Sequence, residues 1–142
     1  MFAPRGLDRV GSGLGCLLVA AVFSGCGGIN CFPVTGKVTL DGSPLPDAKV
    51  SFMPSDDQGL PTIGVTDASG IYSLRQTADM EGAPAGSYTV RIATYREGNV
   101  DADPPIPEVR ERVPPHYNLR TTLKAEIAPK ANAIDFDLRS KP

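Results

Sequence analysis

From Val34 onward, apolar side chains recur at every second position in short runs, and each run ends in residues that turn a chain. A period of two places alternate side chains on opposite faces of a pleated strand, and a helix cannot satisfy it. Val34, Gly36, Val38 and Leu40 share one face, with Thr35, Lys37 and Thr39 on the other. Asp41-Gly42-Ser43-Pro44 then supplies turn chemistry, since glycine admits positive φ and proline fixes its own. Ala48, Val50 and Phe52 alternate against Lys49, Ser51 and Met53, and the stretch from Pro54 to Gly59 ends the run. Thr62–Thr66 reads as a weaker third strand, and Asp67-Ala68-Ser69-Gly70 reverses the chain into Ile71–Leu74. After a bend over Gly82–Gly86, Tyr88, Val90 and Ile92 face inward and Thr89 and Arg91 outward. Leu123, Ala125 and Ile127, then Ile134, Phe136 and Leu138, complete the set.

Seven short strands over roughly a hundred residues, without a convincing helix, predict an all-β, seven-stranded antiparallel β-sandwich of Greek-key type. The 15 glycines and 14 prolines fit a turn-rich chain that still folds. The absence of Trp and of a cysteine pair in the folded part argues against an antibody-type domain. The folding unit is expected over 34–139. Within it, 96–118 has no sustained period and carries Pro104, Pro105, Pro107, Pro114 and Pro115. A long proline-stiffened segment inside a compact domain is either a contact surface or a mobile crossover between sandwich edges. Tyr95, Pro104, Pro105, Pro107, His116 and Tyr117 form the candidate interaction loop.

The first 25 residues read as a targeting segment. Arg5 and Arg9 make a positive start, Val10–Phe23 is apolar apart from Ser12 and glycines, and small residues precede Cys26. The apolar stretch is too short to span a bilayer comfortably. Phe23-Ser24-Gly25-Cys26 resembles a bacterial lipobox, with Phe23 where Leu is usual. That resemblance implies a diacylated Cys26 as the mature N-terminus, followed by a tether over 26–33. Two acyl chains anchor stably where one does not. The alternative is cleavage by the ordinary signal peptidase, which leaves Cys26 a thiol free to link to Cys31. With Cys16 removed and Cys26 lipidated, Cys31 has no partner and is expected to sit in the tether without catalytic duty. By the same resemblance, to lipoprotein sorting, Gly27 stands where an Asp would signal inner-membrane retention, which implies the periplasmic face of an outer membrane.

Three further pieces resemble one family in order. Pro33-Val34-Thr35-Gly36-Lys37-Val38 through Asp41-Gly42-Ser43-Pro44-Leu45-Pro46-Asp47-Ala48 to Val50-Ser51-Phe52 is similar to the opening of carboxypeptidase regulatory-like domains. Gly64-Val65-Thr66-Asp67-Ala68-Ser69-Gly70-Ile71-Tyr72 resembles their hairpin, and Ala85-Gly86-Ser87-Tyr88-Thr89-Val90 a later strand. The ending from Pro114-Pro115-His116-Tyr117-Asn118 resembles that of small bacterial lipoproteins carrying this domain alone. The resemblance implies a transthyretin-like (prealbumin-like) sandwich, non-catalytic, with no catalytic residues to carry over.

Charge and motif content restrict function further. The formal net charge is -2 at pH 7 and no Lys/Arg cluster stands out, which leaves no electrostatic footprint for nucleic acid. The single histidine, His116, has no nucleophile elbow to serve, and one His with one free Cys cannot build a zinc site. Asp56, Asp57, Asp101 and Asp103 lie in loops where calcium would need them to converge, but no EF-hand spacing is present. Asp135 and Asp137 share the outward face of a strand, with no pocket to make them an acid/base pair. Lys37 and Asn132 are placed for a pilin-type isopeptide crosslink only superficially, because Lys37 alternates outward and Asn132 falls in a turn. No enzyme, cofactor or metal is expected. The leading expectation is a monomeric, membrane-tethered module that docks an envelope protein. A carbohydrate or small-ligand binder is the alternative, with Tyr95 and Tyr117 as its exposed aromatic pair.

Overall fold

The computed structural model describes residues 28–141, so the targeting segment and Cys26 lie outside the described residues. The described chain folds into thirteen strands: β1 (Cys31–Phe32), β2 (Val34–Leu40), β3 (Ser43–Pro44), β4 (Lys49–Pro54), β5 (Thr62–Val65), β6 (Ile71–Ser73), β7 (Arg75–Thr77), β8 (Met80–Glu81), β9 (Ala83–Pro84), β10 (Gly86–Ala93), β11 (Lys124–Ile127), β12 (Asn132–Ala133) and β13 (Phe136–Leu138). One layer runs in the order β11-β10-β4-β5-β7-β8. The other is built on β2, flanked by β12 and β13 on one side and by β3 and β6 on the other. This is an all-β sandwich, and the alternation read from sequence sets its inner faces. Val50 and Phe52 of β4, with Tyr88, Val90 and Ile92 of β10, are buried against Val34 and Val38 of β2, Tyr72 of β6, and Phe136 and Leu138 of β13.

Aromatic contacts join the layers. The Phe52 ring lies 6.5 Å from Tyr72, 5.9 Å from Tyr88 and 6.1 Å from Phe136 between centroids, within the range where edge and tilted pairs are favourable. Tyr72 and Tyr88 keep their hydroxyls satisfied at the rim of this core, donating to the carbonyls of Ile134 at 2.6 Å and Pro84 at 2.8 Å. Burial raises the pKa of both phenols, with Asp135 adding to the effect at Tyr72, and Cys31 and Asp56 at Tyr88.

The turns follow their sequence chemistry. Asp41 and Gly42 both take positive φ, 52° and 83°, between the paired Leu40 and Ser43, which is the two-residue hairpin that Asp-Gly favours. In the reversal before β6, the Asp67 side chain accepts from the Ser69 and Ile71 amides at 2.8 and 3.0 Å. Gly36 is required for another reason: a Cβ there would overlap the carbonyl of Ile134 and press on the Tyr72 ring. The central strand therefore admits its neighbours only without a side chain.

The structure departs from the sequence pattern in four places. Cys31 and Phe32 are not free tether; they pair with Pro84 and Ala83, and Phe32 packs on the core, so the fold begins before Val34. The last strands pair with β2 in parallel, Phe136 opposite Val38 and Leu138 opposite Leu40, in an otherwise antiparallel sandwich. Residues 75–81 add the β7–β8 hairpin at one sheet edge. Finally, β5 turns threonine and glycine inward: Thr62 and Gly64 are buried while Ile63 and Val65 face out. A Cβ on Gly64 would sit 2.6 Å from the Ser73 carbonyl, so the layers approach too closely here for larger inward side chains. Among the described residues no helix is long and apolar enough to cross a membrane.

Candidate functional site

Between β10 and β11 the chain leaves the sandwich and returns. This excursion is no structureless loop. Arg96 pairs with Val109 and Asn99 with Ile106 as antiparallel bridges, making a narrow ribbon, the arm, with 100–105 at its tip. Val113 then enters the core, and a short 3-10 turn at Pro115–Tyr117 carries the chain to the sandwich edge.

One carboxylate fixes the root of the arm. Oε1 of Glu111 accepts from the Thr94 amide at 2.8 Å, the Thr94 hydroxyl at 2.9 Å and the Val113 amide at 2.9 Å, while Oε2 accepts from the Tyr95 amide at 3.3 Å. Burial pushes the Glu111 carboxyl up, but these hydrogen bonds outweigh it and hold the pKa below the ordinary value. Thr94 in turn accepts from the Arg112 amide at 2.7 Å, and an Arg112 Nη donates to the Pro46 carbonyl at 2.9 Å. The arm is thus tied both to the end of β10 and to the turn before β4.

Where the excursion crosses the outer face of the larger sheet it walls a groove of about 640 Å³. The floor is formed by outward residues of β4 and β10: Lys49 and Ser51, with Ala93 and Arg91 opposite them in register. Val113, Pro115 and Leu119 form the far wall, and Tyr95 stands at the near side, where a smaller hollow of about 250 Å³ continues towards Val65 and Val109. Tyr95 is 53% exposed and Leu119 79%, so the rim is apolar and uncovered.

The residues singled out in the sequence therefore scatter. Tyr95 lines the groove. Pro104, Pro105 and Pro107 are exposed about the arm's tip, with the Asp103–Pro104 peptide cis. His116 is exposed on the 3-10 turn, its ring 4.0 Å from that of Tyr117, and it forms no hydrogen bond to a serine, cysteine or carboxylate among the described residues. Tyr117 is half-buried against the core, with its hydroxyl accepting from the Arg139 amide at 3.1 Å, so the expected exposed tyrosine pair reduces to Tyr95 alone. Tyr117 ends the 3-10 turn, and its packing on the core and the Arg139 bond hold it inward. Among the described residues no three His, Cys, Asp or Glu side chains converge as a metal site would require. Asp135 and Asp137 serve the sheet, accepting from the Lys37 amide and the Thr39 hydroxyl. Asn132 closes its own turn with hydrogen bonds to Ala128 and Lys130. Half-buried in β1, the Cys31 thiol donates to Gln76 Oε1 at 3.2 Å.

Lys49, Arg91, Glu111 and Leu119 belong to the site without having been singled out. Lys49 and Arg91 were legible as outward strand positions. Glu111 sits in a charged run that reads as solvent-facing, and only the fold brings it to Thr94.

No family model matches the chain, and no curated protein does. Among solved structures, a DUF3823 family protein from Parabacteroides merdae is similar at a TM-score of 0.43 with 11% identity, over 78% of this chain and 46% of that one. A 9R-lipoxygenase from Cyanothece is similar at a TM-score of 0.40 with 16% identity, over 74% of this chain and 16% of that one. The chain thus spans less than half the length of either solved structure.

Proposed function

We propose that this protein is a non-catalytic module of the cell envelope, tethered by lipid at Cys26, that docks a partner through the arm and its groove. The observation that carries the reading is the polarity of β10. Its first residue, Gly86, lies one residue past β9, which pairs with β1, and Ile29 lines a hollow with Pro84, Gly86 and Leu60. The tether therefore joins the sandwich at that end. The arm leaves from the other end of β10, after Ala93. Eight residues at about 3.3 Å each put roughly 25 Å between them. A lipid at Cys26 would hold the 54–60 loop close to the bilayer and present arm and groove away from it.

The resemblance to carboxypeptidase regulatory-like domains of small lipoproteins supports the same reading, as does the Gly27 that follows Cys26. A photoreactive residue placed at Val100 or Leu119 in the membrane-anchored protein tests it. One discrete protein adduct from these positions, absent with the same probe at Leu60, is the expected result. Adducts from Leu60 and none from the arm would overturn it, and adducts that are glycans would favour the carbohydrate-binding alternative.

A further inference from the structure

The floor of the groove carries two cations, and its lining holds one acid. Lys49 and Arg91 lie diagonally across the β4–β10 pair on the same face, and neither forms an ion pair among the described residues. Arg91 is nonetheless held in place. Its Nε donates to the Asn118 carbonyl at 3.1 Å, and Asn118 is itself buried and tied by its Nδ2 to the Val113 carbonyl at 3.1 Å. That leaves both Nη nitrogens without a partner among the described residues, the fork that takes a carboxylate through two parallel hydrogen bonds. The one acid in the lining, Glu111, is turned to the Thr94, Tyr95 and Val113 donors, which hold its charge without cancelling it, so the lining is positive by one charge. The adjoining hollow is lined by Lys49 together with Asp47 and Arg96, none of which forms an ion pair among the described residues.

The rest of the lining is mostly apolar. Val113, Pro115 and Leu119 face the cations across the groove, and its volume suits one or two residues rather than a long segment. The floor is the face of a sheet in which β4 and β10 pair with each other, so their amides and carbonyls lie in the sheet plane and do not point into the groove towards an extended chain. For a sugar it offers one exposed ring, Tyr95, and the Ser51 hydroxyl on the floor, fewer neutral groups than charged ones. Resting on the interaction-module reading above, we infer that the groove captures the free carboxylate end of a peptide, with Arg91 and Lys49 on the carboxylate and an apolar terminal side chain against Leu119 and Val113.

The test is a titration of the full chain, purified in detergent, followed by the Arg91 Nε–H and the Tyr95 and Leu119 amide signals in two-dimensional NMR. The probes are N-acetyl-Ala-Leu as the free acid, the same dipeptide as its C-terminal amide, and glucuronic acid. Saturable shifts with the acid, and binding of the amide weaker by about tenfold or more, are expected from the loss of a charge-assisted pair. Arg91→Gln and Lys49→Gln should each weaken the acid by about tenfold and erase its advantage over the amide, while Lys124→Gln on β11, away from the groove, leaves both unchanged. Equal binding of acid and amide, or tighter binding of glucuronic acid, would overturn the inference. No binding of the acid, with photo-adducts at Leu119 retained, would overturn it while leaving the docking role intact. Binding of the acid with no adduct from the arm would sink the docking role alone.

Discussion

Replacing Glu111 should release the arm without unfolding the sandwich. Its carboxylate accepts three backbone amides and one hydroxyl, but these donors are not equivalent. Thr94 and Val113 are buried, at 2% exposure each, while Glu111 and Tyr95 are exposed, so water that enters the vacated site is a poorer, uncharged acceptor for the two buried residues. Two charge-assisted amide bonds exchanged for bonds to water, at about 1–2 kcal/mol each, put the cost of Glu111→Ala at about 2–4 kcal/mol. Glu111→Gln keeps an oxygen where Oε1 stands and loses the charge and the Tyr95 bond, for a cost of about 1 kcal/mol.

The loss should be local, because the arm's own bridges, Arg96 with Val109 and Asn99 with Ile106, have no other layer to support them. Hydrogen exchange reads it directly. In Glu111→Ala the amides of Thr94, Arg96 and Val109 should exchange about thirtyfold to several-hundredfold faster, with Val50 and Ile92 unchanged. Acid should mimic the variant. The folded state holds this carboxyl below its ordinary 4.5, so its contribution is complete above that value and is lost as pH falls through the lower folded-state value. Exchange at Thr94 and Val109 that stays within twofold of wild type in Glu111→Ala would refute the staple.

Other perturbations address the core, the close approaches and the anchor. Gly36→Ala forces a Cβ into the Ile134 carbonyl and should cost about 3 kcal/mol or more in denaturant unfolding, or prevent folding. Thr62→Val removes a buried hydroxyl that has no partner and keeps the side-chain shape, so it should stabilise by about 1 kcal/mol in the same assay. Membrane-extracted protein should have an intact mass equal to the chain from Cys26 plus a diacylglyceryl group, and Cys26→Ser should abolish both the lipid and membrane retention.

Much of the sandwich was legible because a half-buried strand writes its inner face into alternate residues. Tyr88, Val90 and Ile92 announce β10, and Asp41-Gly42 announces the tight hairpin. The parallel pairing of β13 with β2 was not legible, since a period of two carries no strand direction. Nor were Cys31–Phe32 and Ala83–Pro84, two-residue strands that exist only through each other. In β5 the alternation of Thr62-Ile63-Gly64-Val65 runs against hydrophobicity, because close layers leave no room for the isoleucine inside. The arm's location was legible from its prolines. Its order was not, because the residue that orders it, Glu111, meets Thr94 17 positions away, and a charged run gives no sign of that.

The claim that arm and groove stand away from a tethering bilayer is open to one direct measurement. In lipid nanodiscs containing a gadolinium-chelating lipid, the amide relaxation of the full lipidated protein reports distance from the membrane. Strong enhancement at Leu60 and Ala85, falling to little at Val100 and Leu119, is the expected profile. Enhancement greatest at Val100 and Leu119, or none anywhere in the sandwich, would contradict it.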